Sequence, residues 1–408
     1  MRLSLRHGRR LVTVALSLAV LVTAAGWQRG EASAEGEPLR ISHQACETRQ
    51  TGDLDGESAP NAARRAQHDP TVVGVVRGHT GWVGSVTFHP GGGVLVTGSA
   101  DGTAVLWDIT DPAHPRELAV LEAHAGWVNS VAFSADGEVL ASASSDRTVI
   151  LWDVSEPADP RQLGVLEGHA GGVYSVAFRP DGQVLASASS DRTVIVWDVR
   201  DPSHPARLAV LEAHTGWVHS VAYDAAGSLL ASGSEDRSVI LWDLSDPLDP
   251  RQVALLEGHA GAVMGVAFDP HGRVLASASG DRTVMLWDVD DPASPLQLRV
   301  LDAHTNYVSS VAFHPDGEFM ASSSRDATVA LWDVSDPARA FRWCVLQGRI
   351  YWFNVAFDAT GGLLASGSGD RTAVLWDVRT LPQRSGRSST PFGPRGHPAP
   401  TRAIHPGQ

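Results

Sequence analysis

The residues best suited to chemistry are histidine, serine and aspartate, which recur together along the chain. His124, Ser142 and Asp146 make one set, and each set is followed by a tryptophan, here Trp152. Serine beside histidine and carboxylate is the constellation of nucleophilic acyl transfer. That chemistry needs one exposed serine beside an oxyanion hole. Repeated equivalent copies answer a structural need instead, in which buried polar groups satisfy one another. No catalytic residue is therefore predicted.

The remaining chemical repertoire is thin. The 32 basic residues are all arginine, so no P-loop, kinase-strand or Schiff-base lysine exists. Two cysteines, Cys46 and Cys344, cannot form a four-thiolate zinc site or hold an iron–sulfur cluster. His89, His271 and His314 do not recur with a carboxylate at ligand spacing and read as exposed turn histidines rather than metal ligands. No cofactor and no metal is expected. With 43% hydrophobic and 19% charged residues among 408, the chain is globular and long enough for a large core. Residues 71–380 hold 19 Arg against 38 Asp and Glu, a net charge of −19. Nucleic acid needs an electropositive stripe, so this field argues against it.

The elements that must position these residues follow a repeat. Trp-Asp occurs at 107, 152, 197, 242, 287, 332 and 376, spaced by 45 residues five times and by 44 once. Each unit alternates polar and apolar residues through segments such as VNSVAF, VLASAS and TVILWDV, then passes a proline-marked loop to a short strand such as QLGVL. Four short strands joined by turn residues make a small antiparallel sheet, which cannot bury both faces alone. No fourth strand follows Trp376-Asp377, but a spare one, VVGVVRGH, precedes the first unit. Residues 72–77 are therefore predicted to complete the last unit and remove its open edges.

These Gly/Ala-His, Ser-x-x-x-Asp and Trp-Asp positions resemble the WD40-repeat family over residues 71–380. The resemblance implies an all-β fold, a single seven-bladed β-propeller of four-stranded antiparallel blades. It also implies a hydrogen-bonded tetrad in each blade. Blade one would use His79, Thr97, Asp101 and Trp107; blade two His124, Ser142, Asp146 and Trp152; blade three His169, Ser187, Asp191 and Trp197. Blade four would use His214, Ser232, Asp236 and Trp242; blade five His259, Ser277, Asp281 and Trp287; blade six His304, Ser322, Asp326 and Trp332. Blade seven keeps Ser366, Asp370 and Trp376 but has Arg349 where the histidine belongs.

Against this near-copying, a few positions differ. Five residues after the histidine stand Gly84, Asn129, Tyr174, His219, Met264 and Ser309. Three residues after it stand Trp82, Trp127, Gly172, Trp217, Ala262 and Tyr307, with Trp352 matched in blade seven. Before the tetrad aspartates stand Ala100, Ser145, Ser190, Glu235, Gly280, Arg325 and Gly369. In proteins this chain resembles, such positions line the top face, where partners dock. Trp82, Trp127, Tyr174, Trp217, His219, Glu235, Met264, Tyr307, Arg325 and Trp352 are the candidate partner-binding residues; aromatic, Met and Arg side chains are enriched in interface cores. The alternative is that the tryptophans were copied with the unit or pack against a neighbouring blade. The stretch FRWCVLQGRIYWFNVAF, with Phe341, Trp343, Tyr351, Trp352 and Phe353, reads either as an aromatic partner site or as repacking of a degenerate closing blade.

The N-terminus reads as a targeting segment. Arg2, Arg6, Arg9 and Arg10 precede an uncharged run from Leu11 to Gly26, and Ala32-Ser33-Ala34 follows. Residues 1–34 read as a secretory signal peptide or, alternatively, an N-terminal membrane anchor, either of which places the rest outside the cytoplasm. An oxidising destination would allow Cys46 and Cys344 to pair; two unpaired thiols are the alternative. Residues 35–70 read as a flexible linker and 381–408 as a disordered tail containing Pro and Arg. The expected function is an exported, non-enzymatic scaffold binding a protein or peptide on the propeller's top face, a monomer on its own that meets membrane only through its N-terminus. The alternative is a glycan or cell-wall binder.

Overall fold

A computed structural model describes residues 70–302, 304–348 and 350–381 of the chain. The described strands form seven four-stranded antiparallel sheets, the blades of a β-propeller. Blade one runs from its inner strand Val83–Phe88 through Val94–Ser99 and Thr103–Asp108 to its outer strand Arg116–Glu122. Blade seven is assembled from both ends of the propeller, its outer strand Thr71–Arg77 pairing with Thr372–Asp377. The predicted closure by the N-terminal strand is thus the observed one.

The alternation in each strand buries one face against each neighbouring sheet. Val96, Leu106 and Leu121 of blade one pack on Val128, Val131, Leu140 and Trp152 of blade two. The closing seam is built alike, with Val76, Ala373 and Leu375 against Val83, Leu95, Val105 and Trp107. Each such aliphatic side chain taken out of water contributes about 1.5–3 kcal/mol. Inner strands are also stapled to one another: the Ser85 hydroxyl accepts from Val131 N at 3.1 Å, Ser175 from Val221 N at 3.2 Å, and Ser220 from Val266 N at 3.1 Å.

Two backbone features shape the end of each blade that carries the histidine loop and the aspartate turn, here called the top face. The inner strand is bulged, its register shifting between Val128 and Ser130 in blade two and between Val173 and Ser175 in blade three. The hairpin turn after the aspartate places one residue in the left-handed region: Gly102 at φ 88°, but Arg147, Arg192, Arg237, Arg282 and Arg371 at 71–79° and Ala327 at 68°. Glycine is the low-cost residue there, so the arginines hold a strained conformation about 1 kcal/mol less favourable.

Candidate functional site

Each tetrad is a closed hydrogen-bond circuit. In blade two His124 Nδ1 lies 2.9 Å from Asp146 Oδ2, His124 Nε2 2.8 Å from Ser142 Oγ, and Trp152 Nε1 donates to Ser142 Oγ at 2.9 Å. The carboxylate only accepts, so Nδ1–H donates to it, while Nε2 faces the Ser142 hydroxyl and, at 3.2 Å, the Ser142 carbonyl. In blades three and four burial holds the His169 and His214 pKa values below the ordinary one, outweighing Asp191 and Asp236. The same pairs form around His79, His259 and His304. Ser142 is 1% exposed and Ser187, Ser232, Ser277 and Ser322 are 0% exposed, which leaves no surface for a substrate carbonyl.

A fifth member escaped the sequence reading. Thr148 Oγ1 donates to Asp146 Oδ1 at 2.7 Å and lies 3.4 Å from His124 Nδ1. Thr103, Thr193, Ser238, Thr283 and Thr328 do the same for their aspartates. The signal was present as a hydroxyl residue two positions after every tetrad aspartate. In blade seven Trp376 Nε1 donates to Ser366 Oγ at 2.9 Å and Thr372 to Asp370 at 2.5 Å; Arg349 lies outside the described residues.

The diversified positions gather on the top face. Gly84, Asn129, Tyr174, His219, Met264 and Ser309 are the bulged residues of their inner strands. A bulged residue is unpaired in the ladder and re-aimed, so it varies without disturbing the sheet. Asn129 Nδ2 reaches Val173 O of the next blade at 2.8 Å. Tyr174 stacks on Trp217 at 6.0 Å and lies 5.3 Å from His219. Trp82 stacks on Phe353 at 6.0 Å and meets Trp127 edge-on at 6.0 Å. Arg325 lies over the Tyr307 ring at 5.5 Å. Burial, then the Arg325 charge, lowers the His219 pKa to about 4, and burial with the Glu235 carboxylate raises that of Tyr174. Trp127 and Tyr307 stay 46% and 48% exposed; Met264 is half-buried and Glu235 exposed.

Blade seven corrects the sequence alignment. Gly369 N bonds Tyr351 O as Ala100 N bonds Trp82 O and Ser145 N bonds Trp127 O. Tyr351, not Trp352, therefore occupies the aromatic position, and it is 52% exposed. Trp352 pairs with Ser368 as Val83 pairs with Ser99, so its backbone holds the place of the valine. The missing residue is thus taken up before Tyr351. Phe353 becomes the bulged residue, and Asn354 replaces the stapling serine, accepting from Val86 N at 3.1 Å. Phe341 and Trp343 belong to the outer strand of blade six, Phe341–Gln347, where Trp343 packs on Phe319 at 6.1 Å. The aromatic stretch is therefore divided between two blades.

Two of the three turn histidines differ from expectation. His271 is exposed, but His314 is 8% exposed, with Nδ1 2.7 Å from Asp316 Oδ1 and Nε2 3.0 Å from Gly361 O of blade seven. Nε2 donates to Gly361 O, and Nδ1 donates to Asp316 Oδ1 only in the charged ring; in the neutral ring it accepts from Asp316 N at 3.3 Å. Burial opposes this charge, and Asp316 and Gly361 outweigh burial and raise the pKa. His89 is half-buried, 5.1 Å edge-on to Phe133 of the next blade. Among the described residues no group of three or more His, Cys, Asp or Glu could hold a metal. Cys344 is buried and disulfide-bonded; Cys46 lies outside the described residues, as do residues 1–34, read above as signal or anchor, and the tail from 382. Among the described residues no helix is long and apolar enough to cross a membrane.

Comparison with known proteins agrees with this architecture. The chain is 36% identical over 67 residues to Pleiotropic regulator 1 of Bos taurus, a match covering 14% of this chain and 13% of that protein. The chain thus matches only a small part of that relative's length. The family model described as WD domain, G-beta repeat matches residues 70–108, 115–153, 160–198, 206–243, 250–288, 296–333 and 349–377. With seven matched repeats folded as seven blades, the chain belongs to the WD40 family.

Proposed function

We propose that this chain is an exported, non-enzymatic recognition module that binds a protein or peptide on the top face of its propeller. WD40 propellers commonly serve as protein-interaction scaffolds. The observation that carries the reading is the contrast between a near-invariant frame and top-face positions that differ blade by blade, among them the exposed Trp127, Tyr307 and Tyr351. Aromatic and arginine side chains held by their neighbours lose little entropy on binding, which suits a hot spot. The non-enzymatic part is supported by the enclosure of the tetrad serines. Export is supported by the arginine-led apolar run at Leu11 to Gly26. A glycan site is less favoured, because Trp82 and Phe353, like Tyr174 and Trp217, already stack on each other.

The test is capture of partners from envelope and culture fractions by the chain and by its Trp82→Ala/Trp127→Ala/Trp217→Ala variant. Loss of a partner from a variant that keeps its β-sheet circular dichroism supports the reading. Equal capture by both overturns the face assignment. Quenching of tryptophan fluorescence by envelope polysaccharide, with no protein captured, would replace it with the glycan reading.

A further inference from the structure

The charge of the top face is not spread evenly around the ring. Two positions on each blade set it: the left-handed turn residue, and the residue at the top end of the outer strand. The second is Glu122 opposite Thr103 in blade one, Glu167 opposite Thr148, Glu212 opposite Thr193, and Asp302 opposite Thr283. In blade four it is Glu257, next after Leu256, which pairs with Val239. These five carboxylates are exposed. Blades two to five therefore match one exposed arginine (Arg147, Arg192, Arg237 or Arg282) with one carboxylate at the same end of the same blade.

Blade seven breaks this balance, and blade six carries neither charge, with Ala327 at its left-handed position. Gln347 replaces the carboxylate opposite Thr328, and Arg77 replaces it opposite Thr372, one residue beyond Arg371. Arg77 and Arg371 are both exposed. Arg325 adds a third guanidinium in blade six, half-buried over the Tyr307 ring. Beyond the aspartate that every blade carries, this sector holds three arginines and no carboxylate at the positions just compared. The opposite side carries Glu235 in blade four. The apolar complement sits in the same sector: Ile350, Tyr307 and Tyr351 are 38%, 48% and 52% exposed. A basic, aromatic sector on a propeller of net charge −19 is a local reversal of the molecule's own field.

We propose that the blade six–seven sector of the top face docks an acidic segment of a partner protein, its carboxylates on Arg77, Arg325 and Arg371 and an apolar side chain against Tyr307 and Tyr351. This rests on the top-face reading and names its ligand chemistry. Guanidinium groups offer paired donors that fit carboxylates. Complementary charge sets partner choice and encounter rate, and Arg beside Tyr supplies a desolvated anchor. The acidic remainder of the propeller repels the same segment elsewhere, which fixes where it lands.

The experiment pans random displayed peptides on the whole chain and measures the selected peptides by fluorescence anisotropy. The expected consensus combines Asp or Glu with an aliphatic or aromatic residue, and affinity falls as salt rises. Arg77→Gln/Arg371→Gln, both at exposed positions, weakens binding roughly tenfold, and adding Arg325→Gln weakens it further. Arg147→Gln/Arg192→Gln removes the same charge from balanced blades and changes affinity less than about twofold. Equal loss from both pairs, a neutral or basic consensus, or no enriched peptide overturns the proposal. Concentration-dependent dimerisation abolished by Arg77→Gln/Arg371→Gln would give the sector to a second copy and overturn it as well. Partner capture lost with the three tryptophans but intact in the arginine variants would sink this inference alone; capture indifferent to both sets would sink the face reading beneath it.

Discussion

Ser238 holds the place that threonine takes in the other five described tetrads with a histidine, and its hydroxyl donates to Asp236 Oδ1 at 2.6 Å. Burial raises the Asp236 pKa, but Ser238, Thr215 N–H and His214 overcome it and bring the carboxyl from 3.8 to about 2. A folded pKa below the unfolded one stabilises the fold above the unfolded value, and that stability is lost as pH falls through the folded value. The acid limb attributable to Asp236 therefore lies between 3.8 and about 2. Ser238→Ala is expected to move the acid unfolding midpoint to higher pH, and to cost about 1 kcal/mol at neutral pH, read by tryptophan fluorescence across an acid titration. An unchanged midpoint would assign the lowering to the Thr215 N–H and His214. The four tetrad members were legible because copying preserved each at fixed spacing. The hydroxyl member was not, because a threonine after a turn reads as the ordinary start of a strand.

At the scale of one element, blade six carries a small fault. Ser323 in the strand Phe319–Ser324 is 0% exposed and its hydroxyl has no hydrogen-bond partner, where blades two and three place Ala143 and Ala188. A buried unpaired hydroxyl costs about 1–3 kcal/mol. Ser323→Ala is expected to stabilise the propeller by roughly 1 kcal/mol, seen as a higher midpoint in denaturant with an unchanged slope. A lower midpoint would mean that the hydroxyl is satisfied in solution. Strands, turns and the bulge-bearing inner strands were legible from alternation and turn residues wherever the units are copies. They failed at blade seven, where a residue is missing before Tyr351 and spacing from the histidine position no longer locates the bulge. His314 was misjudged for a related reason. Its burial comes from the Gly361 turn of the next blade, and a neighbour across a sheet interface leaves no mark at the residue itself.

The ring as a whole has no first or last blade, and this is why its charge pattern could not be read along the chain. Arg77 precedes the first tetrad histidine, His79, in sequence yet lies on the blade that ends at Asp377, so the basic sector exists only after closure. Closure also makes a mechanical prediction. An ideal Cβ on Gly74, in the outer strand of blade seven, would lie 1.8 Å from Pro112 O of blade one, and one on Gly164 of blade two would lie 2.5 Å from Pro202 O of blade three. Gly74→Val and Gly164→Val therefore wedge the same kind of contact, one at the closing seam and one inside the chain. In an open array the terminal repeat unfolds by itself, since it has one neighbour. In a closed ring each blade has two, and either wedge must be resisted by the entire circle. Each variant is expected to lose about 1–3 kcal/mol while keeping a single calorimetric transition, lowered by roughly 2–6 °C. A second, earlier transition in Gly74→Val alone would show that the strand Thr71–Arg77 is a detachable latch rather than an equal member of the ring.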